Sequence, residues 1–195
     1  MSRPSFIYVT YINSTPERVW QALTDPAFTR KYWFNHRNAS DWKVGSEWRH
    51  EEYDDASVVD IVGRVVESSP PRHLVLTWAS PKDAKDPDKV SRVTFDIETY
   101  GDGVRLTVTH SELEPESAML SGISRGWPLV LSSLKTFLET GEPMPPAQSK
   151  TSAAFGSAPP SAPIAESTDL APLVSSSSKS SSVNSITALS GIPVP

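Results

Sequence analysis

The chain contains no cysteine. Disulfides and thiolate metal sites are therefore excluded, and the redox compartment is left open. It also lacks any run of about 18 apolar residues, so no segment is expected to span a membrane as a helix. Its first twenty residues, MSRPSFIYVTYINSTPERVW, hold no apolar stretch of the roughly 7 to 15 residues a signal peptide needs, which points to the cytoplasm. An excess of positive charge is missing too. The 18 Lys and Arg against 23 Asp and Glu leave a net charge of −5 with no basic patch, so neither nucleic acid nor an anionic membrane is an expected partner. No GxSxG, P-loop or GxGxxG occurs, and hydrolase, nucleotidase and dinucleotide readings lose their usual support. The four histidines, His36, His50, His73 and His110, show no spacing of the HExxH kind. No metal and no cofactor are expected.

What is present divides at residue 143. From Pro143 to Pro195 the text is Pro, Ser, Ala and Thr, with one Phe and no Trp or Tyr. Such a segment cannot bury enough apolar surface to offset about 1 to 2 kcal/mol of backbone entropy per residue, so 143–195 reads as a disordered tail and 1–142 as the folded domain.

Within the domain, the segment from Pro115 to Gly141 carries Met119, Ile123, Trp127, Val130, Leu134, Phe137 and Leu138 three or four apart, the spacing of one helix face. Ser132, Ser133, Lys135, Thr136 and Glu139 fall on the opposite, wet face. Gly141 and Pro143 stop the helix. Pro128 lies inside it and predicts a break or kink near Ser124 to Trp127. At the other end, Phe6 to Ile12 alternates as a strand. Thr15-Pro16-Glu17 opens a helix, and Asp25-Pro26 ends it and caps a second one through Phe28, Tyr32 and Trp33. Strands then follow at turn-bounded intervals: Glu47 to Tyr53, Ser57 to Ser68 with a bulge expected at Gly63, His73 to Ala79, Val90 to Tyr100, and Val104 to Leu113 after the Gly101-Asp102-Gly103 hairpin. The face of the Glu47 strand is ambiguous. With no βαβ crossover, the class is α+β: an antiparallel sheet of one wet and one dry face, the dry one covered by the long helix.

These residues carry a family resemblance. TPERVWQALTDPAFTRKYW (15–33), Val44-Gly45, GRVVE (63–67) with Pro70 and Pro71, Leu76-Thr77-Trp78, Gly126-Trp127, and Leu134-Lys135 to Gly141 together resemble the SRPBCC superfamily. Within it, the match is to the branch named for the activator of the Hsp-90 ATPase. The resemblance implies the helix-grip fold of START domains and Bet v allergens. It also implies a mainly apolar cavity between the sheet and the last helix, used by different members for lipids, polyketides, plant hormones or flavonoid-like compounds.

The candidate ligand-binding residues are Trp127, His110, Phe95, Val108, Trp78, Ile123, Val130 and Trp48. His110 follows Leu106 and Val108 on one strand face, which aims it inward as a polar anchor or, in an enzyme, a base. Six tryptophans make aromatic walls that suit a planar ligand. The expected function is noncatalytic binding of a small hydrophobic or aromatic molecule. A cyclase or aromatase acting through His110 is the first alternative. The second is a cochaperone-like interaction module that meets a protein partner through the wet sheet face or the tail.

Overall fold

A computed structural model describes residues 3–145. From residue 146 onward the expected tail lies outside the described residues. Local sequence sets the first elements. Strand β1 (Phe6–Ile12) ends ahead of Thr15, whose hydroxyl accepts from the Arg18 amide and caps α1 (Pro16–Thr24), with proline at its first turn. Asp25 ends α1 and accepts from the Ala27 amide at 2.8 Å to start α2 (Pro26–Tyr32). There follow β2 (His36–Ala39), β3 (Glu47–Glu52), β4 (Val59–Ser69), β5 (His73–Trp78), a short 3-10 turn at Pro87–Lys89, β6 (Ser91–Tyr100), β7 (Gly103–Ser111) and α3 (Ala118–Thr140).

The seven strands form one curved antiparallel sheet in the order β1-β7-β6-β5-β4-β3-β2. Only β1 breaks the meander, pairing with β7 at the far end. On β6 and β7, Val93, Phe95, Ile97, Val104, Leu106, Val108 and His110 are buried while their neighbours alternate outward, so one face is dry. That face meets α3 through Ile123, Trp127, Val130, Leu131 and Leu134, and removal of this apolar surface from water holds the layers together. This is the helix-grip arrangement.

Several sequence expectations are corrected. Helix α3 starts at Ala118, not Pro115. Glu116 sits at φ 56°, outside the helical region, and the Ser117 hydroxyl caps the Leu120 amide at 3.1 Å. Pro128 does not break the helix, which runs through it to a left-handed Gly141 whose N–H donates to Phe137. What the ring removes is the amide that would have served the Ser124 carbonyl. Ser133, placed on the wet face, is fully buried, because it stands one turn from both Val130 and Phe137.

No sequence pattern announces strand β2. Its sequence, HRNA, has little strand preference, and pairing with β3 holds it: Arg37 lies opposite Glu51 and Asn38 opposite His50. A register shift between His50 and Glu51 settles the β3 face: Trp48 and His50 turn inward, and Glu51 is buried as well. Arg37 places Nε and Nη2 each 2.8 Å from the same Glu51 oxygen. Arg37→Met strips a buried carboxylate of its main partner and is expected to cost about 3 kcal/mol, read from the urea midpoint. A loss under about 1 kcal/mol would mean Arg49, 3.6 Å from the other oxygen, already suffices.

Candidate functional site

Strand alternation and helix periodicity bring the predicted residues to one place. All eight candidates are buried. Phe95 lies opposite Val108 and Val93 opposite His110 across the β6–β7 ladder. Trp127, from α3, has its ring 5.5 Å from Trp78, 5.8 Å from Phe95 and 6.3 Å from His110. Trp48 meets Trp78 at 5.0 Å, one strand pair further along. Ile123 and Val130 flank Trp127 on the buried helix face. The Trp127 ring is thus in contact with the rings of Trp78, Phe95 and His110.

The polar atoms at this point form one chain. The Trp127 indole N–H donates to His110 Nδ1 at 3.1 Å, which fixes the proton of the neutral imidazole on Nε2. Nε2 then donates to Ser91 Oγ at 2.8 Å, and the Ser91 hydroxyl donates to the Trp78 carbonyl at 3.0 Å. Burial pushes the His110 pKa down to about 3, so the ring stays neutral across the physiological range. Both ring nitrogens are committed, and no lone pair is left to take a proton from a substrate.

Sequence reasoning missed three parts of this interior. Ser91 occupies the buried alternation that continues through Val93 and Phe95, a signal that was readable. Trp33 stands 5.7 Å from Trp127 and 4.7 Å from His50. His50 donates from Nδ1 to Asn38 Oδ1 at 2.8 Å, while the Asn38 amide donates to the Leu23 carbonyl. Burial lowers the His50 pKa to about 3. Its ring stacks 5.1 Å from His36, whose two nitrogens face acceptors, the Phe34 carbonyl and the Asp60 carboxylate. The hydrogen bond to Asp60 raises the His36 pKa, with burial pulling the other way. The two imidazoles lie face to face. No pattern of spacing along the chain announces this pair.

Among the described residues no group of histidine, aspartate or glutamate side chains is arranged to hold a metal ion, and no helix is long and apolar enough to cross a membrane. Two surface hollows lie on the face of the sheet that α3 does not cover. One, of about 540 Å³, lies beside Val62 and Gly63, and the other, of about 650 Å³, beside His73 and Arg105.

The model of the Activator of Hsp90 ATPase homolog 1-like protein family matches residues 13–139, which includes every candidate residue. The chain belongs to this family. None of the curated proteins matches it. Solved structures with the same fold include an HSP90 activator from Plasmodium falciparum, PFC0360w, at 22% identity and TM-score 0.58, covering 69% of this chain and 95% of that one. The Aha1 dimer from Colwellia psychrerythraea is 22% identical at TM-score 0.58, over 71% and 98%. CalU16 from Micromonospora echinospora is 22% identical at TM-score 0.57, over 71% and 78%. At such identity the likeness shows the fold alone. Within this Hsp90-activator-like chain, the long terminal helix sits against the dry sheet face with Trp127 at the contact.

Proposed function

We propose that this Hsp90-activator-like chain is a noncatalytic binding protein for a small hydrophobic or aromatic molecule, taken between the sheet and α3 at Trp127. The observation that carries the reading is the environment of that residue: rings on several sides and an indole N–H that donates to His110. Apolar walls with one or two placed polar atoms are what a hydrophobic ligand site requires. Because these rings touch one another, a ligand that enters here displaces a ring that packs against Trp127. The turn before Pro128 is where α3 can yield, since the Ser124 carbonyl there has lost its helical donor. Moving Trp127 costs binding energy, which holds affinity to about micromolar or weaker. The closed hydrogen bonding of a neutral His110 supports binding over the cyclase alternative.

Titrating the full chain with a panel of flavonoids and fatty acids, while following the Trp127 indole N–H resonance, tests this. At least one member is expected to shift that signal in a saturable way, because entry breaks the bond to His110. A signal unmoved by the whole panel would remove the interior site.

A second reading rests on a different surface. Ile7 and Tyr100 are each 63% exposed, and Tyr11 meets Tyr100 edge-on at 4.8 Å, leaving apolar groups in water on the outer face near edge strand β1. In a family named for Hsp90 activation, this face suits contact with a chaperone. Stimulation of an Hsp90 ATPase that Tyr11→Asp abolishes would support it, and no stimulation at saturating protein would count it out.

A further inference from the structure

The outer hollow beside Gly63 plays no part in the reading above, and its chemistry differs from the interior. We propose that it is a separate binding site for a small aromatic carboxylate. Strands β3, β4 and β5 form its floor, and the loop between β5 and β6 forms its wall. A volume of about 540 Å³ lies within the range of sites that take small organic ligands.

The shape follows from the backbone. On the inner face Gly63 lies under the Trp48 indole, which reaches across β4 to the Thr77 carbonyl, so a Cβ there would stand 1.9 Å from that oxygen and the two strands are held close behind the hollow. Val62 and Ala79, bridged across the same two strands, continue that floor with short apolar groups. Ala84 and Val90 supply an apolar wall. A flat, apolar, half-enclosed slot takes a planar ring better than a branched chain.

Charge decides the other half of the ligand. The rim carries Arg49, Arg64 and Lys85 against one carboxylate, Glu47. Arg64 is engaged, 3.2 Å from Glu47 and bonded to the Gly45 carbonyl. Arg49 is half exposed and lies only loosely against Glu51, 3.6 Å from one oxygen, while Arg37 holds the other at 2.8 Å. Lys85 is exposed at the end of the wall. The slot therefore presents two cations, Arg49 loosely paired with Glu51 and Lys85 with no carboxylate within ion-pair distance among the described residues, in a chain whose net charge is −5. A guanidinium fork suits a carboxylate, and an apolar slot beneath it selects an acid with a ring attached.

Naphthoate is a suitable probe. Added to the full chain, it is expected to shift the backbone amides of Gly63, Thr77 and Ala84 to saturation below about 1 mM. The double variant Arg49→Gln/Lys85→Gln leaves buried Glu51 its main partner, Arg37, so it should fold normally and weaken binding about tenfold or more. Naphthalene methanol, the neutral analogue, should bind more weakly and equally to both forms. Three results would overturn the proposal: no movement of those amides up to about 5 mM naphthoate, equal affinity in the double variant, or shifts confined to the Trp127 indole. The last would assign the acid to the interior site and leave that reading standing.

Discussion

Gly63→Ala is expected to be among the most damaging single-methyl additions in the chain, costing about 4 kcal/mol or more and leaving little folded protein at moderate temperature. The added Cβ would fall 1.9 Å from the Thr77 carbonyl oxygen and 2.4 Å from Trp48 Nε1. Neither neighbour can step aside cheaply. The Thr77 carbonyl accepts the Trp48 indole N–H at 2.9 Å, so pushing the strands apart also leaves a buried donor short of its partner. Trp48 in turn packs on Trp78, which touches Trp127, and the strain reaches the interior directly. Circular dichroism with urea unfolding would measure the effect. Gly103→Ala is a useful comparison, since its Cβ would meet the Ile12 carbonyl oxygen at the milder distance of 2.8 Å. A Gly63→Ala protein within about 1 kcal/mol of the wild type would show that β4 and β5 can separate freely.

Features written in short-range chemistry could be read from the sequence. Thr15 and Asp25 cap helices because their oxygens reach amides two or three residues away, and no distant contact is needed. Alternation on β6 and β7 reports a half-buried sheet, and the 3.6-residue period of α3 reports the face that covers it. Because those two patterns face each other, they bring Trp127, His110 and Phe95 together. Where partners far apart in sequence decide the outcome, the reading stopped. The strand HRNA exists because β3 offers it Glu51 and His50, and Ser133 is buried because α3 is covered on more than its main stripe. How closely the walls under α3 approach was also beyond the pattern: four tryptophans, Trp33, Trp48, Trp78 and Trp127, come from a helix end, two strands and α3 to meet there. The slot beside Gly63 depends on how the loop between β5 and β6 lies, which no periodicity encodes.

Acid should unfold this protein well above the pH at which its carboxylates protonate. His50 and His110 are held neutral by burial, with pKa values lowered to about 3 from the ordinary 6.5. A depressed histidine pKa means that the unfolded chain binds the proton first. The stabilising contribution is thus complete above about pH 6.5 and is lost as pH falls toward 3. Each ring removes up to about 1.4 kcal/mol per pH unit in that window, on the order of 4 kcal/mol for each histidine by pH 3. For His50 burial is joined by His36, 5.1 Å away, whose own raised pKa favours a positive charge that a proton on His50 would have to face. His36 acts with the opposite sign: its pKa is raised by Asp60, so its contribution is full below about 6.5 and fades as pH rises through the folded value. Stability is therefore expected to peak near neutrality and to fall most steeply on the acid side. His110→Gln isolates one ring, because the amide can still accept from Trp127 and donate to Ser91 but cannot take a proton. Urea unfolding at pH 6.5, 5.5 and about 4.5 should show the wild-type slope reduced by about half in that variant. Parallel slopes for the two proteins would mean that His110 becomes charged without unfolding the chain, and the bonded, neutral ring on which the noncatalytic reading leans would have to be given up.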